Sequence, residues 1–191
     1  MKEGIKVNRK IGIVGVLLVV CLAAVLVIAK GKLGGSVGDD AAIRSKPKAA
    51  PAGSVDPNVI TRGTSLWQGQ SFMTNAKNAL NMVNQQRAGS GLAALEWDDS
   101  LAACAMIRAT ELPSLFSHSR PDGTDWYTVA PNIMYGENLA QGYNSPDAAV
   151  NAWMNSPAHR DNIMNASFKS CGIGIYESGG KWYWGQEFGY Y

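Results

Sequence analysis

This chain of 191 residues contains two histidines, each set in a short polar cluster. His118 lies in FSHSRPDG (residues 116–123) and His159 in SPAHR (156–160). An imidazole can act as a general base, a proton shuttle or a metal ligand near neutral pH. Two that converge in the fold make a site, and two that do not are surface residues. Cys104 and Cys171 are the other residues of intrinsic reactivity in this half of the chain. A thiol beside a histidine would be a nucleophile. Ser117 and Ser119 flank His118, but adjacency in sequence is no triad, and their hydroxyls are expected to cap turn amides. Arg120-Pro121-Asp122-Gly123 reads as a turn, with Pro fixing φ and Gly supplying a positive one.

The elements that must position these residues begin after a different kind of segment. Residues 11–29, IGIVGVLLVVCLAAVLVIA, carry no charge. As a helix they would measure about 28 Å, close to the hydrocarbon thickness of a bilayer. Lys2, Lys6, Arg9 and Lys10 precede them, which holds residues 1–10 in the cytoplasm and sends the rest outside. The apolar run exceeds a typical signal-peptide core, favouring an uncleaved anchor over a cleaved export signal; Val27-Ile28-Ala29 keeps cleavage, and hence secretion, as the alternative. Cys21 follows Val20, where a lipoprotein cysteine would follow a small residue, so it reads as a membrane-buried cysteine. Residues 30–70 show no apolar periodicity and are rich in Gly, Pro, Ala and Ser, which predicts a flexible linker.

Charge divides along the same boundaries. Residues 1–32 carry a net +5, 33–70 a net +1 and 71–191 a net −4. A mildly acidic domain argues against a binder of phosphate backbones, so nucleic acid is excluded as a partner.

From about Phe72 an amphipathic helix is predicted, with Phe72, Ala76, Ala79, Leu80 and Val83 on one face and a stop near Gly89. A second runs from a cap at Asp98 or Asp99 to Pro113, with Leu101, Cys104, Ala105, Arg108 and Leu112 on one face. Arg108 in that company either reaches inward to a carboxylate or lies exposed. Ser145-Pro146-Asp147 starts a third helix, with Val150 and Trp153 towards the core, and Ser156-Pro157 starts a fourth at once. CGIGIYESGGKWYWGQEFG then reads as a hairpin, and Gly172 and Gly174, alternating with Ile173 and Ile175, predict a very close approach on one face. Helices first and strands last imply an α+β domain over 71–191.

FSHSRPDG, YGENLAQG (135–142), WMNSPAHR with NIM after it, and FKSCGIGIY before YWGQEFG occur in that order. Together they resemble the CAP superfamily of cysteine-rich secretory proteins, antigen 5 and pathogenesis-related 1 proteins, and more closely its bacterial SCP-domain branch. The resemblance covers about residues 72–191. It implies a three-layer α-β-α sandwich, an extracellular location, and a central cleft with two histidines and two acids that binds zinc in some members. His118 matches the first histidine, Glu137 the first acid and His159 the second histidine. The second acid is missing, because the interval from Trp153 to His159 reads Met-Asn-Ser-Pro-Ala. Glu187, in GQEFG, is an unusual acid but lies in a different element.

His118, His159 and Glu137 are a sufficient donor set for a zinc ion with one open position, able in principle to activate water. The competing reading is a hydrogen-bonded His118–Glu137 pair that ties the cleft together. The leading expectation is an extracellular, membrane-tethered, non-enzymatic binding module; the alternative is a metal-dependent hydrolase of the cell envelope. Export permits oxidation, so a disulfide between Cys104 and Cys171 is expected, worth roughly 4 kcal/mol for its long loop, with two buried thiols as the alternative. Aromatics crowd the second half of the domain. Any that line the cleft, Trp126 and Tyr135 first, would stack on a cell-wall glycan or an extracellular protein ligand.

Overall fold

A computed structural model describes residues 1, 35–38, 41–48 and 54–191. The expected apolar helix at 11–29 lies outside the described residues, as does Cys21. Among the described residues no helix is long and apolar enough to cross a membrane.

A short strand β1 (Ser36–Val37) and another, β2 (Ala42–Ile43), are followed by helix α1 (Pro57–Ser65), helix α2 (Gln70–Gly89), strand β3 (Glu96–Trp97) and helix α3 (Asp99–Glu111). A 3-10 turn at Trp126–Val129 precedes β4 (Gly136–Gln141), α4 (Pro146–Asn155), α5 (Pro157–Ile163), β5 (Ser170–Ser178) and β6 (Lys181–Gly189). The sheet runs β1-β4-β6-β5-β3, with β2 also on β4. Among the described residues only β3 pairs in parallel; the other pairs are antiparallel. This is the mixed helix-and-sheet architecture expected.

Local signals act as the sequence predicts. Asp98 caps α3, accepting from the Leu101 amide at 2.8 Å, and Ser145 caps α4, accepting from Ala148 at 3.2 Å. The β5–β6 hairpin turns through Gly179 and Gly180, both at positive φ, a two-residue loop whose twist matches the strands. A Cβ on Gly172 would lie 2.1 Å from the Ala102 nitrogen, and one on Gly174 2.4 Å from the Ala105 carbonyl carbon. Backbone of β5 therefore touches backbone of α3. Cys171, Ile173 and Ile175 alternate to the other face and join Ala76, Ala79, Leu80, Val83, Val150 and Trp153 in the main core.

The segment read as linker departs from expectation. β1 and β2 pair with β4, Ser36 opposite Gln141 and Ala42 opposite Glu137. α1 packs on α3 so tightly that a Cβ on Gly63 would fall 2.2 Å from the Ala103 carbonyl oxygen. Two-residue strands and a nine-residue helix leave no periodicity, so tertiary contact sets them. One signal was present: Asp56-Pro57 repeats the cap-then-proline start, and the Asp56 carboxylate accepts from the Asn58 amide at 2.9 Å. Because α1 covers its outer side, α3 is buried along most of its length rather than on one face.

Candidate functional site

β4 carries Glu137 towards the α3 face of the sheet, opposite Glu187 of β6. Both carboxyls are fully buried. α3 brings Arg108 to them from the helix layer, and the polar turn after α3 brings His118 from outside. His118 Nδ1 lies 2.6 Å from Glu137 Oε1. Arg108 donates from Nε to Glu137 Oε2 at 2.8 Å and from Nη2 to the Ser117 carbonyl at 2.7 Å. Its Nη1 pairs with Glu111 one turn on, and Glu111 in turn accepts from Arg120 at 2.7 Å. The inward alternative for Arg108 is the one realised. The Ser117 hydroxyl behaves as expected, its Oγ accepting from the Ser119 amide at 3.0 Å.

His159 is buried in α5, its Nδ1 2.7 Å from Ser156 Oγ. Its carbonyl accepts from Asn138, the residue after Glu137, at 3.1 Å. Asn138 also donates to Gln186 and accepts from Asn162. His118 thus meets Glu137 directly, and the His159 carbonyl bonds the next residue on the same strand.

Electrostatics distinguishes the two carboxyls. Burial alone would raise Glu137, but the His118 hydrogen bond and the Arg108 guanidinium outweigh it and hold it below the usual carboxylate range. Glu187 goes the other way: burial, then the adjacent Glu137 charge, push it well above that range. A side-chain hydrogen bond with Glu137 acts in the same direction, because only a protonated Glu187 can donate to that carboxylate. Sequence reasoning noticed this residue and did not place it; strand register alone brings it opposite Glu137. Burial opposes the charge of Arg108, but Glu137, Glu187 and Glu111 prevail and raise its pKa.

The family resemblance implies a divalent metal here. Among the described residues no group of three or more His, Cys, Asp or Glu side chains could hold one. The donor chemistry agrees. Glu137 already accepts at both oxygens, and the Arg108 guanidinium stands where a metal's charge would otherwise be needed. As arranged, these residues do not fit a divalent cation.

Two further expectations are corrected. Cys104 and Cys171 are free, buried thiols, not a disulfide. They lie on opposite sides of the sheet: Cys104 packs with Leu101, Ile107 and Trp126, whereas Cys171 points away from α3 because Gly172 and Gly174 occupy that face. Burial raises both thiols far above their ordinary pKa, which removes the thiolate a nucleophile requires. Trp126 and Tyr135 are buried as well, at 6% and 4% exposure, the first against Cys104 and Val129 and the second against Tyr190. Neither is free to stack on a ligand.

A family model described as CAP, the cysteine-rich secretory protein family, matches residues 80–188. The chain belongs to this family. YkwD of Bacillus subtilis (strain 168) is 32% identical over 149 residues, covering 74% of this chain and 56% of that protein. The membrane protein YlbC of the same organism is 32% identical over 109 residues, covering 53% of this chain and 32% of that protein. Among solved structures, an extracellular SCP-domain protein from Bacillus anthracis matches with a TM-score of 0.56 and 26% identity, over 72% of this chain and 45% of that one. This CAP chain therefore spans little more than half of YkwD and a third of YlbC. The family match leaves out α1 and the first half of α2.

Proposed function

We propose that this CAP chain is a non-enzymatic binding module displayed outside the cell, tethered through residues 11–29. The observation that carries the reading is the closed state of the Glu137 carboxylate, with both oxygens engaged by Arg108 and His118. A hydrolase needs a base free to take a proton or a metal free to take water. The His118–Glu137–Arg108–Glu111 cluster instead joins the turn at 117–120, α3 and β4. The extracellular SCP-domain neighbour and the membrane relative support the location. Cell-wall glycan and extracellular protein are the ligand classes that suit such a display.

Zinc titration by calorimetry on the full chain in detergent tests the proposal, beside His118→Ala and Glu137→Gln. No saturable binding near one equivalent is expected, with both variants less stable than the parent. One equivalent bound, and lost in both variants, would overturn the reading and make a metal-dependent hydrolase the better one.

A further inference from the structure

With Trp126 and Tyr135 buried, the aromatic groups that line an open cavity lie elsewhere. A pocket of about 310 Å³ is walled by Thr64, Trp67, Met73, Trp97, Asp99 and the Ala102–Ala103 backbone. That size falls at the low end of small-ligand sites, about 300–1,000 Å³. It lies where the end of α1, the start of α2 and the β3–α3 junction meet. We propose that this pocket binds a pyranose ring of an envelope glycan; the proposal rests on the reading of the chain as a binding module and names its site and ligand class.

Both indoles are held by rigid elements. Trp97 sits on β3, paired with Cys171 of β5, and its Nε1 donates to Asp99 Oδ1 at 2.8 Å. The Lys77 ammonium lies 5.4 Å from its ring centroid. Trp67 belongs to the α1–α2 connection, which Gln68 fixes to the end of β5: its Nε2 donates to the Glu177 carbonyl at 2.9 Å, and its Oε1 accepts from the Glu177 amide at 2.6 Å. The contact of Gly63 with Ala103 sets the depth of α1 on α3, and so the distance of Thr64 and Trp67 from the pocket floor. A platform held this way loses little entropy on binding.

The chemistry selects a sugar over other occupants. A pyranose ring has an apolar C–H face suited to an indole and hydroxyls at its rim. Asp99 and Thr64 are exposed and supply a carboxylate and a hydroxyl beside the two indoles. Asp99 Oδ2 makes no hydrogen bond among the described residues and is available to accept from a hydroxyl. A wholly apolar ligand would bury Asp99 Oδ2 without a partner, at a cost. A cationic ligand would meet the Lys77 charge already on Trp97, and an anionic one would meet Asp99.

The full chain, labelled with 5-fluorotryptophan and held in a detergent without a sugar headgroup, is titrated with tri-N-acetylglucosamine and followed by fluorine NMR. The Trp67 and Trp97 resonances, assigned by Trp67→Phe and Trp97→Phe, should shift saturably while Trp126, Trp153 and Trp184 stay in place. Trp67→Ala and Asp99→Ala should each weaken binding about tenfold. No saturable shift, a shift confined to Trp182, or undiminished binding in both variants would overturn the pocket. Co-sedimentation with isolated cell envelopes separates the two proposals. Envelope binding that survives Trp67→Ala and Asp99→Ala leaves the module standing and removes the pocket. New reducing ends in the titration would overturn the non-enzymatic reading whatever the pocket does.

Discussion

Replacing Glu187 by Gln tests the electrostatic account of the buried cluster most directly. Glu187 is fully buried beside Glu137, and burial, that neighbouring charge and the hydrogen bond between the two carboxyls raise its pKa well above the usual carboxylate range. The folded carboxyl therefore holds its proton to higher pH than the unfolded chain does. Between those two values the folded form binds more protons, so stability falls as pH rises. The slope is at most tenfold in the folding equilibrium per pH unit, or about 3 kcal/mol from pH 5 to pH 7 if the proton is held throughout. Gln has the same shape, carries no titrating proton and can donate an amide hydrogen to Glu137. Glu137 itself contributes in the opposite sense, because its lowered pKa makes its stabilisation fade only as pH falls below the ordinary carboxylate range. It is silent between pH 5 and 7. Urea unfolding of both proteins at pH 5, 6 and 7 measures the difference in slope, in which the titrating groups outside the cluster cancel. Glu187→Gln should gain on the parent with each unit and be the more stable at pH 7. Parallel pH profiles, or a variant less stable at every pH, would refute the proposed protonation of Glu187.

Two other perturbations probe the packing. Gly172→Ala forces a Cβ to within 2.1 Å of the Ala102 nitrogen; relieving it separates β5 from α3 and should cost about 1–3 kcal/mol or more, read as a fall in the urea midpoint. Alkylation with iodoacetamide, without reductant, should leave Cys104 and Cys171 unmodified in the native protein and modify both after unfolding in urea, as mass spectrometry would detect. A pair that stays unmodified in urea until reductant is added would indicate the disulfide that the fold disfavours.

The sequence by itself determined the helices α2 to α5, the closing hairpin and the family. Those depend on local chemistry: Asp98 and Ser145 as caps, Pro146 and Pro157 at helix starts, two consecutive glycines in a two-residue turn, and apolar residues at helical or strand period. The order of short motifs around His118, Glu137 and His159 pointed to the CAP family before any contact was known. The meeting of His118 with Glu137 also followed from that order. Tertiary structure alone decided what the cluster is. Which side of a strand faces which helix depends on the close approach of Gly172 and Gly174 to α3, and that approach sends Cys171 away from Cys104 and leaves no disulfide. Strand register sets Glu187 opposite Glu137, and a helix in the next layer brings Arg108 to neutralise it. The segment before α2 was illegible for a related reason: β1 and β2 are ordered by the edge of β4, and α1 by the backbone of α3. Composition announces the flexibility of such a chain, but the surface it meets decides whether that flexibility is kept.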